Sequence, residues 1–194
     1  MATQPKTEDE SSFAALTDEN ALLRASLAEM RERLGELEQL ADTDTLTPLP
    51  NRRRFLRELE RVVSQANRHG TPAAVLYIDL NSLKRVNDRH GHVGGDAALI
   101  HVARLLQGLI RSSDVVARIG GDEFGLILDH LDHNSAIETA ERIARCIAST
   151  PLDLGGAQVS LQAAIGVATI LAGDTAADVL QRADRNMYRA KADG

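Results

Sequence analysis

Two apolar runs separated by a short glycine and acid turn constrain this chain more than any other feature. Val115-Val116-Ala117-Arg118-Ile119 and Phe124-Gly125-Leu126-Ile127-Leu128 flank Gly120-Gly121-Asp122-Glu123. The glycines permit the positive backbone angles of a tight turn, so the three segments read as an antiparallel hairpin and exclude an all-parallel sheet. Ahead of it, residues 73–78 are continuously apolar and stop at Asp79, the pattern of a strand buried on both faces. Helical spacing surrounds these strands. Asn51 is placed to cap a helix carrying Phe55, Leu59, Val62 and Val63, which the Gly70 and Pro72 pair breaks. Residues 97–111 put Leu99, Val102, Leu105, Leu106 and Leu109 on one face, and residues 135–149 and 175–191 read as two further helices around strand-like sequence at 159–170. The expected fold is α+β, a mixed central sheet flanked by helices.

The length of 194 residues suits one core of about 150 residues with an appendage. A hydrophobic fraction of 43% belongs to a folded globular chain. With a net charge of -6, two Tyr, three Phe and no Trp, the chain lacks the basic surface and stacking platforms of a nucleic-acid binder, so no nucleic-acid partner is expected. The single Cys146 falls beside Ile143 and Ile147 at helical spacing and is expected to be a buried free thiol in a reducing compartment. No apolar run approaches the ~20 residues that span a bilayer, so no membrane contact and a cytoplasmic address are expected.

Residues 1–12 have no apolar periodicity and read as a disordered tail. Residues 13–42 carry a heptad seam, with Asn20, Leu27, Leu34 and Ala41 at a and Leu16, Leu23, Met30 and Leu37 at d. Glu19 at g then faces Arg24 at e, and Arg33 at g faces Glu38 at e, pairs that attract in a parallel dimer. A single amphipathic helix packed on its own domain is the alternative; the polar Asn20 and the narrow stripe favour a parallel homodimer. Pro48 and Pro50 end the helix, and residues 43–194 form the globular domain.

Asp79 at the end of an apolar strand, Asp122 and Glu123 in the hairpin turn and Lys84 five residues after Asp79 carry the chemistry. A carboxylate ending an apolar strand costs stability unless it sits at the rim with a partner such as a cation, whereas acids at a hairpin tip are by themselves ordinary. Together, with glycines that admit a ligand to the backbone, they form the kit for a hard cation holding a nucleotide triphosphate. Magnesium keeps several waters and takes one or two carboxylates plus substrate phosphates, so it suits this sparse donor set better than zinc. No Walker lysine loop is present. His130 and His133 lack the further ligands of a zinc site and read as a solvated loop.

The pentapeptide Gly120-Gly121-Asp122-Glu123-Phe124 resembles the signature of the GGDEF family, the diguanylate cyclases. Three further stretches resemble the same family in order and spacing. These are Asp44-Thr45-Leu46-Thr47-Pro48-Leu49-Pro50-Asn51-Arg52-Arg53, with Pro48 where the family usually has glycine; residues 79–88 followed by Gly91-His92 and Gly95-Asp96; and Ala183-Asp184 with Met187-Tyr188-Arg189-Ala190-Lys191. Asn81 stands where an acid is common. The resemblance covers residues 42–194.

The resemblance implies a palm-like nucleotide-cyclase and polymerase fold that condenses two GTP into cyclic di-GMP and two pyrophosphates, each protomer of a homodimer binding one GTP. It implies catalytic roles for Asp79, Asp122 and Glu123. Asp79, Glu123 and the backbone carbonyl of Leu80 would hold up to two Mg2+, with Mn2+ a substitute. Asp122 would be the general base or an orienting acceptor for the attacking hydroxyl. Lys84, Lys191, Leu83, Gly120 and Gly121 would contact the phosphates, and Asn87 and Asp96 would read guanine. Arg111 and Asp114, with Arg142, resemble the site at which cyclic di-GMP inhibits its own synthesis; outside that resemblance Arg111 caps a helix and Asp114 starts a turn. The rival readings are a catalytically silent sensor of the same nucleotides and a dimerisation protein whose stalk is its function.

Overall fold

The computed structural model describes residues 19–31, 33, 35, 41–81 and 83–192. Two compact units result, Met1–Ala41 and Asp42–Gly194. In the first, residues 19–31 form helix α1. Its seam residues Leu23, Leu27 and Met30 are 59%, 50% and 67% exposed. The tail at 1–12 and the seam positions Leu16, Leu34, Leu37 and Glu38 lie outside the described residues.

The second unit runs α2 (Arg52–His69), β1 (Ala73–Asn81), α3 (Leu83–Leu109), β2 (Val115–Arg118), β3 (Glu123–Asp129), α4 (His133–Ser149), β4 (Leu152–Leu154), β5 (Ala157–Val159), β6 (Gln162–Thr169) and α5 (Ala176–Ala192). Asn51 caps α2, its side chain accepting from Arg54 N at 3.2 Å, and Gly70 closes the helix in the left-handed region at φ 66°. The main sheet has the order β2-β3-β1-β6, and β4 pairs with β5 apart from it. All the main-sheet pairings are antiparallel, so the α+β architecture holds with an antiparallel rather than a mixed sheet.

Strand β1 is central and buried on both faces, which is why its sequence is apolar without alternation. Ala74, Leu76, Ile78 and Leu80 belong to the core beneath α3 and α4, with Val102, Leu106, Ile143 and Ile147. Ala73, Val75 and Tyr77 point the other way, into the core beneath α2 and α5, with Phe55, Leu59, Val179 and Met187. The strict alternation of a strand therefore decides which helix pair each β1 side chain meets.

Several boundaries differ from those expected. The helix expected from residue 97 begins at Leu83, because Val86 also enters the core; Gly91, with φ 70° and ψ 177°, bends it and hides its period. The strand expected over 159–170 is two strands, β5 and β6, with buried Leu161 between them. Strand β4 is three residues long and too short to leave a pattern. Cys146 is half-buried rather than buried, since Ile143 and Ile147 take the core-facing positions. No described helix is long and apolar enough to cross a membrane.

Candidate active site

Parity carries Asp79 to the site. It lies two residues beyond Tyr77 on the α5-facing side of β1 and is only 7% exposed. In the β1–β3 register Asp79 stands directly opposite Glu123, so two carboxylates meet across the sheet at one end. Strand β1 runs on to Asn81, so Asp79 is within the strand rather than at its last position. The side-chain oxygen of Asn81 is buried and has no hydrogen-bond partner.

The hairpin turn is built differently from the expectation. Neither Gly120 nor Gly121 adopts a positive φ. The turn closes where Glu123 O accepts from Ile119 N at 2.9 Å and Gly120 N at 3.3 Å, and Leu80 N donates to Asp122 O at 3.0 Å, tying β1 to the turn. Gly120 is required by proximity: a Cβ there would come within 2.0 Å of Glu123 Oε2, whereas one on Gly121 would meet nothing within 4 Å. Gly121 thus leaves its backbone open to a ligand, and Glu123 belongs to β3.

Helix α5 supplies the counter-charge. Lys191 Nζ donates to Asp79 Oδ1 at 2.7 Å. That hydrogen bond, with the charges of Asp79, Asp122 and Glu123 behind it, raises the Lys191 ammonium above its ordinary pKa. Burial first, then the adjoining Glu123 carboxylate, pushes the Tyr77 hydroxyl up to about 12. Tyr77 therefore stays protonated beside the Glu123 carboxylate, a proximity that the apolar pattern around Tyr77 concealed.

Asn87 and Asp96 lie on opposite sides of the Gly91 bend and are brought together by it. The Asn87 side chain sits against Gly95, where an added Cβ would lie 1.9 Å from its Oδ1, and Asp96 is the next residue and exposed. Leu83 is half-buried against the core, and Lys84 is exposed in the first turn of α3. Among the described residues no ion pair joins Lys84 to the acids.

A second frame holds the turn, and sequence reasoning missed it. Arg118 donates from Nη2 to Gly121 O at 2.7 Å and from Nη1 to Asp44 Oδ1 at 3.1 Å. Burial of Asp44 opposes its ionisation, but hydrogen bonds from Thr47 and Arg118 outweigh it and hold the carboxyl below its usual range. Arg52 donates to Ile119 O at 3.2 Å. Next to it Asp42 is held by Arg57 and Arg53, which lower its pKa to about 2. An arginine ending β2 beside an acidic turn was the available signal; its partner 74 residues away left none.

Asp114 shapes its own turn, accepting from Arg111 N at 3.0 Å and Asp129 N at 3.3 Å, so Arg111 and Asp114 are adjacent. Arg142 Nη2 donates to Leu109 O at 3.3 Å, at the end of α3. His130 lies 3.1 Å from Asp129 Oδ1, and His133 opens α4. Among the described residues no three His, Cys, Asp or Glu side chains converge as a metal cage. The site offers a cation two facing carboxylates and backbone oxygens, which fits magnesium completed by phosphates and water and does not fit zinc.

The sequence matches the family described as Diguanylate cyclase, GGDEF domain, over residues 41–194. Diguanylate cyclase TpbB of Pseudomonas aeruginosa is 40% identical over 182 residues, covering 92% of this chain and 41% of the relative. Response regulator PleD of Caulobacter vibrioides is 37% identical over 168 residues, covering 85% and 37%. The chain thus spans about two fifths of the length of these curated relatives. Among solved structures, the coiled coil and GGDEF domain of DgcB from Caulobacter crescentus, in complex with c-di-GMP, superposes with a TM-score of 0.82 at 28% identity, covering 93% of this chain and 96% of that one. Diguanylate cyclase SiaD of Pseudomonas aeruginosa, solved with its activator SiaC, gives 0.76 at 28% identity, covering 96% and 75%. With its signature turn, facing acids and near-complete match in both sequence and fold, the chain belongs to the GGDEF-domain family of diguanylate cyclases.

Proposed function

We propose that this chain is a diguanylate cyclase that joins two GTP into cyclic di-GMP and two pyrophosphates. The facing pair Asp79 and Glu123, with Lys191 as counter-ion, carries this reading. Their carboxylates and the Leu80 carbonyl would hold Mg2+, up to two ions, with Mn2+ a substitute. Once bound, such an ion polarises the α-phosphate and offsets charge on the departing pyrophosphate.

The remaining residues bind and orient. Lys84 and Lys191, with Leu83 and the backbone at the start of α3, would receive the β- and γ-phosphates, and the turn at Gly120 and Gly121, open at Gly121, would admit the nucleotide. Asp96 would accept from the ring N–H and exocyclic amine of guanine, with Asn87 completing the edge. Adenine lacks that donor pair and would leave the carboxylate unpaired. Asp122 would orient the 3′-hydroxyl or take its proton as its oxygen attacks the other nucleotide's α-phosphorus; the new P–O bond forms as the bond to pyrophosphate breaks.

One domain cannot close the ring, because each 3′-hydroxyl must meet the other nucleotide's α-phosphate in line. Pairing through the stalk supplies the local concentration for that encounter, and the exposed Leu23, Leu27 and Met30 support a parallel coiled coil. Arg111, Asp114 and Arg142 would form the site of product inhibition. A GTP-consuming enzyme of this kind belongs in the cytoplasm.

The test is incubation of the full chain with GTP and Mg2+ or Mn2+, followed by anion-exchange separation of the nucleotides. Cyclic di-GMP should accumulate with the parent and be absent with Glu123→Gln. GTP left unconverted with either ion would end the enzymatic reading in favour of a nucleotide sensor. Leu23→Asp with Leu27→Asp should depress specific activity at dilute protein, and an unchanged rate would remove the stalk from dimerisation.

A further inference from the structure

Behind the stretch of α3 that precedes the Gly91 bend lies a cavity of about 550 Å³, walled on its other side by β5 and Ser160. Arg85 and Arg89 stand one helical turn apart and share the face that lines it. Asn87, two residues from each, turns the other way and sits against Gly95, so the cavity is separate from the residues proposed to read guanine. His90 completes the arginine wall. Gly94 makes room for it: a Cβ there would come within 2.5 Å of His90 Cβ, so glycine lets the two parts of α3 close tightly beside the cavity.

The floor is apolar, since Val86 is buried and Val159 packs against the same core. Gln158 and Ser160 add an amide and a hydroxyl opposite the arginines. Among the described residues that line the cavity there is no Asp or Glu, although acidic residues outnumber Lys and Arg in the chain by 28 to 22. Like charges four apart on a helix repel, and an anion held between them reverses the sign.

An oxyanion suits this wall. Guanidinium binds phosphate through its fork and stacks on a planar ring. The volume exceeds what a bare phosphate needs and lies within the roughly 300–1,000 Å³ of small-molecule sites. We infer that this cavity is a second ligand site, distinct from the active site, that takes a phosphorylated molecule of nucleotide size. Its phosphate lies on Arg85, Arg89 and His90, and its uncharged part covers Val86 and Val159 towards Gln158 and Ser160. Bound there, the ligand joins the two turns of helix that carry Lys84 and Asn87 to the β4–β5 hairpin, whose Leu154 is already in van der Waals reach of Gly94. Occupancy of the cavity therefore favours nucleotide at Lys84 and Asn87 rather than opposing it.

Adenosine monophosphate is the probe, because adenine would leave Asp96 unpaired in the active site. Calorimetric titration into the full chain without divalent ion should show it binding about tenfold or more tighter than inorganic phosphate. Arg85→Ala with Arg89→Ala should weaken that binding about tenfold or more, whereas Arg104→Ala, on the same helix outside the cavity, should stay within about twofold of the parent. Ala157→Lys adds a cation to the facing wall and should tighten binding, a gain that no folding defect can produce. In saturating GTP, still without metal, the probe should bind at least as tightly as to the free chain. Its displacement by GTP would put it in the active site and overturn the inference. Parent-like binding by the double variant, no preference over inorganic phosphate, or no gain in Ala157→Lys would each overturn it as well. None of these readouts is turnover, so this site and the cyclase proposal fail separately.

Discussion

Lys191 Nζ lies 2.7 Å from Asp79 Oδ1, joining the end of the last helix to the first strand across 112 residues of sequence. An ammonium group and a divalent cation seek the same oxygens. Lys191→Met should therefore strengthen Mn2+ binding measured without nucleotide by about threefold or more, and weaken GTP binding by about tenfold through loss of a phosphate partner. Calorimetry with each ligand alone checks both directions. A weaker Mn2+ affinity would show that Lys191 supports the acids rather than competing for them.

Gly120 and Gly121 are adjacent yet not equivalent. The Cβ of Gly120→Ala would sit 2.0 Å from Glu123 Oε2, the far end of a side chain free to swing away, so the fold should survive while the carboxylate leaves its place. Cyclase turnover should fall about a hundredfold, with a thermal midpoint within a few degrees of the parent. Gly121→Ala meets no protein atom within 4 Å and should chiefly raise the KM for GTP. Equal loss of turnover in the two variants would contradict this division.

Gly166 differs from both because backbone faces it. A Cβ on β6 there would lie 2.0 Å from Ala183 O and 2.2 Å from Met187 N of α5, and neither can rotate aside. Gly166→Ala should lower stability to urea by about 3 kcal/mol. Because α5 carries Lys191, the variant should also lose GTP affinity. Unfolding midpoints at the parent's value would show that α5 has room to shift.

Asp42 gives a pH signature. Arg57 and Arg53 hold its carboxyl at about 2 in the folded chain, below the roughly 3.9 of an unfolded Asp. A depressed acid stabilises the fold fully above the unfolded value, and this contribution is lost as pH falls from about 4 towards about 2. Asp42→Asn should therefore be less stable at neutral pH and show a shallower fall across that window in acid unfolding followed by circular dichroism. Parallel curves for the two proteins would mean that the arginines do not bind Asp42 in solution.

Local signals were legible in the sequence, and long-range ones were not. The hairpin, the Asn51 cap, the Gly70 stop and the apolar run of β1 depend on neighbours within one or two turns, and each is present, although β1 runs on to Asn81 and the hairpin turn uses no positive φ. Asp79 was legible as a carboxylate at a costly place and Glu123 as part of an acidic turn, but their opposition follows from the β1–β3 register, which no local pattern states. Tyr77 read as core because its apolar ring decides the strand pattern, while its hydroxyl feels the Glu123 carboxylate. Arg118 with Asp44, and the arginines holding Asp42, pair elements that meet only after folding. The bend at Gly91 cut the first two turns of α3 off from the periodic face that follows, and residues 83–90 alone offer only Leu83 and Val86 to a helical count.

The bend at Gly91 leaves the stretch from Leu83 to His90 as eight residues of helix, well short of the about 12–15 that hold together unaided in water. Its order is borrowed from Leu83 and Val86 seated on the core. Amide protons there should exchange with deuterium sooner than those of residues 96–106, and slow when guanine nucleotide engages Lys84 and Asn87. Substrate recognition would then double as local annealing, with the base held from both sides of the pivot by Asn87 and Asp96 and the phosphates held by Lys84, fastening a piece of helix that the polypeptide alone leaves only lightly secured.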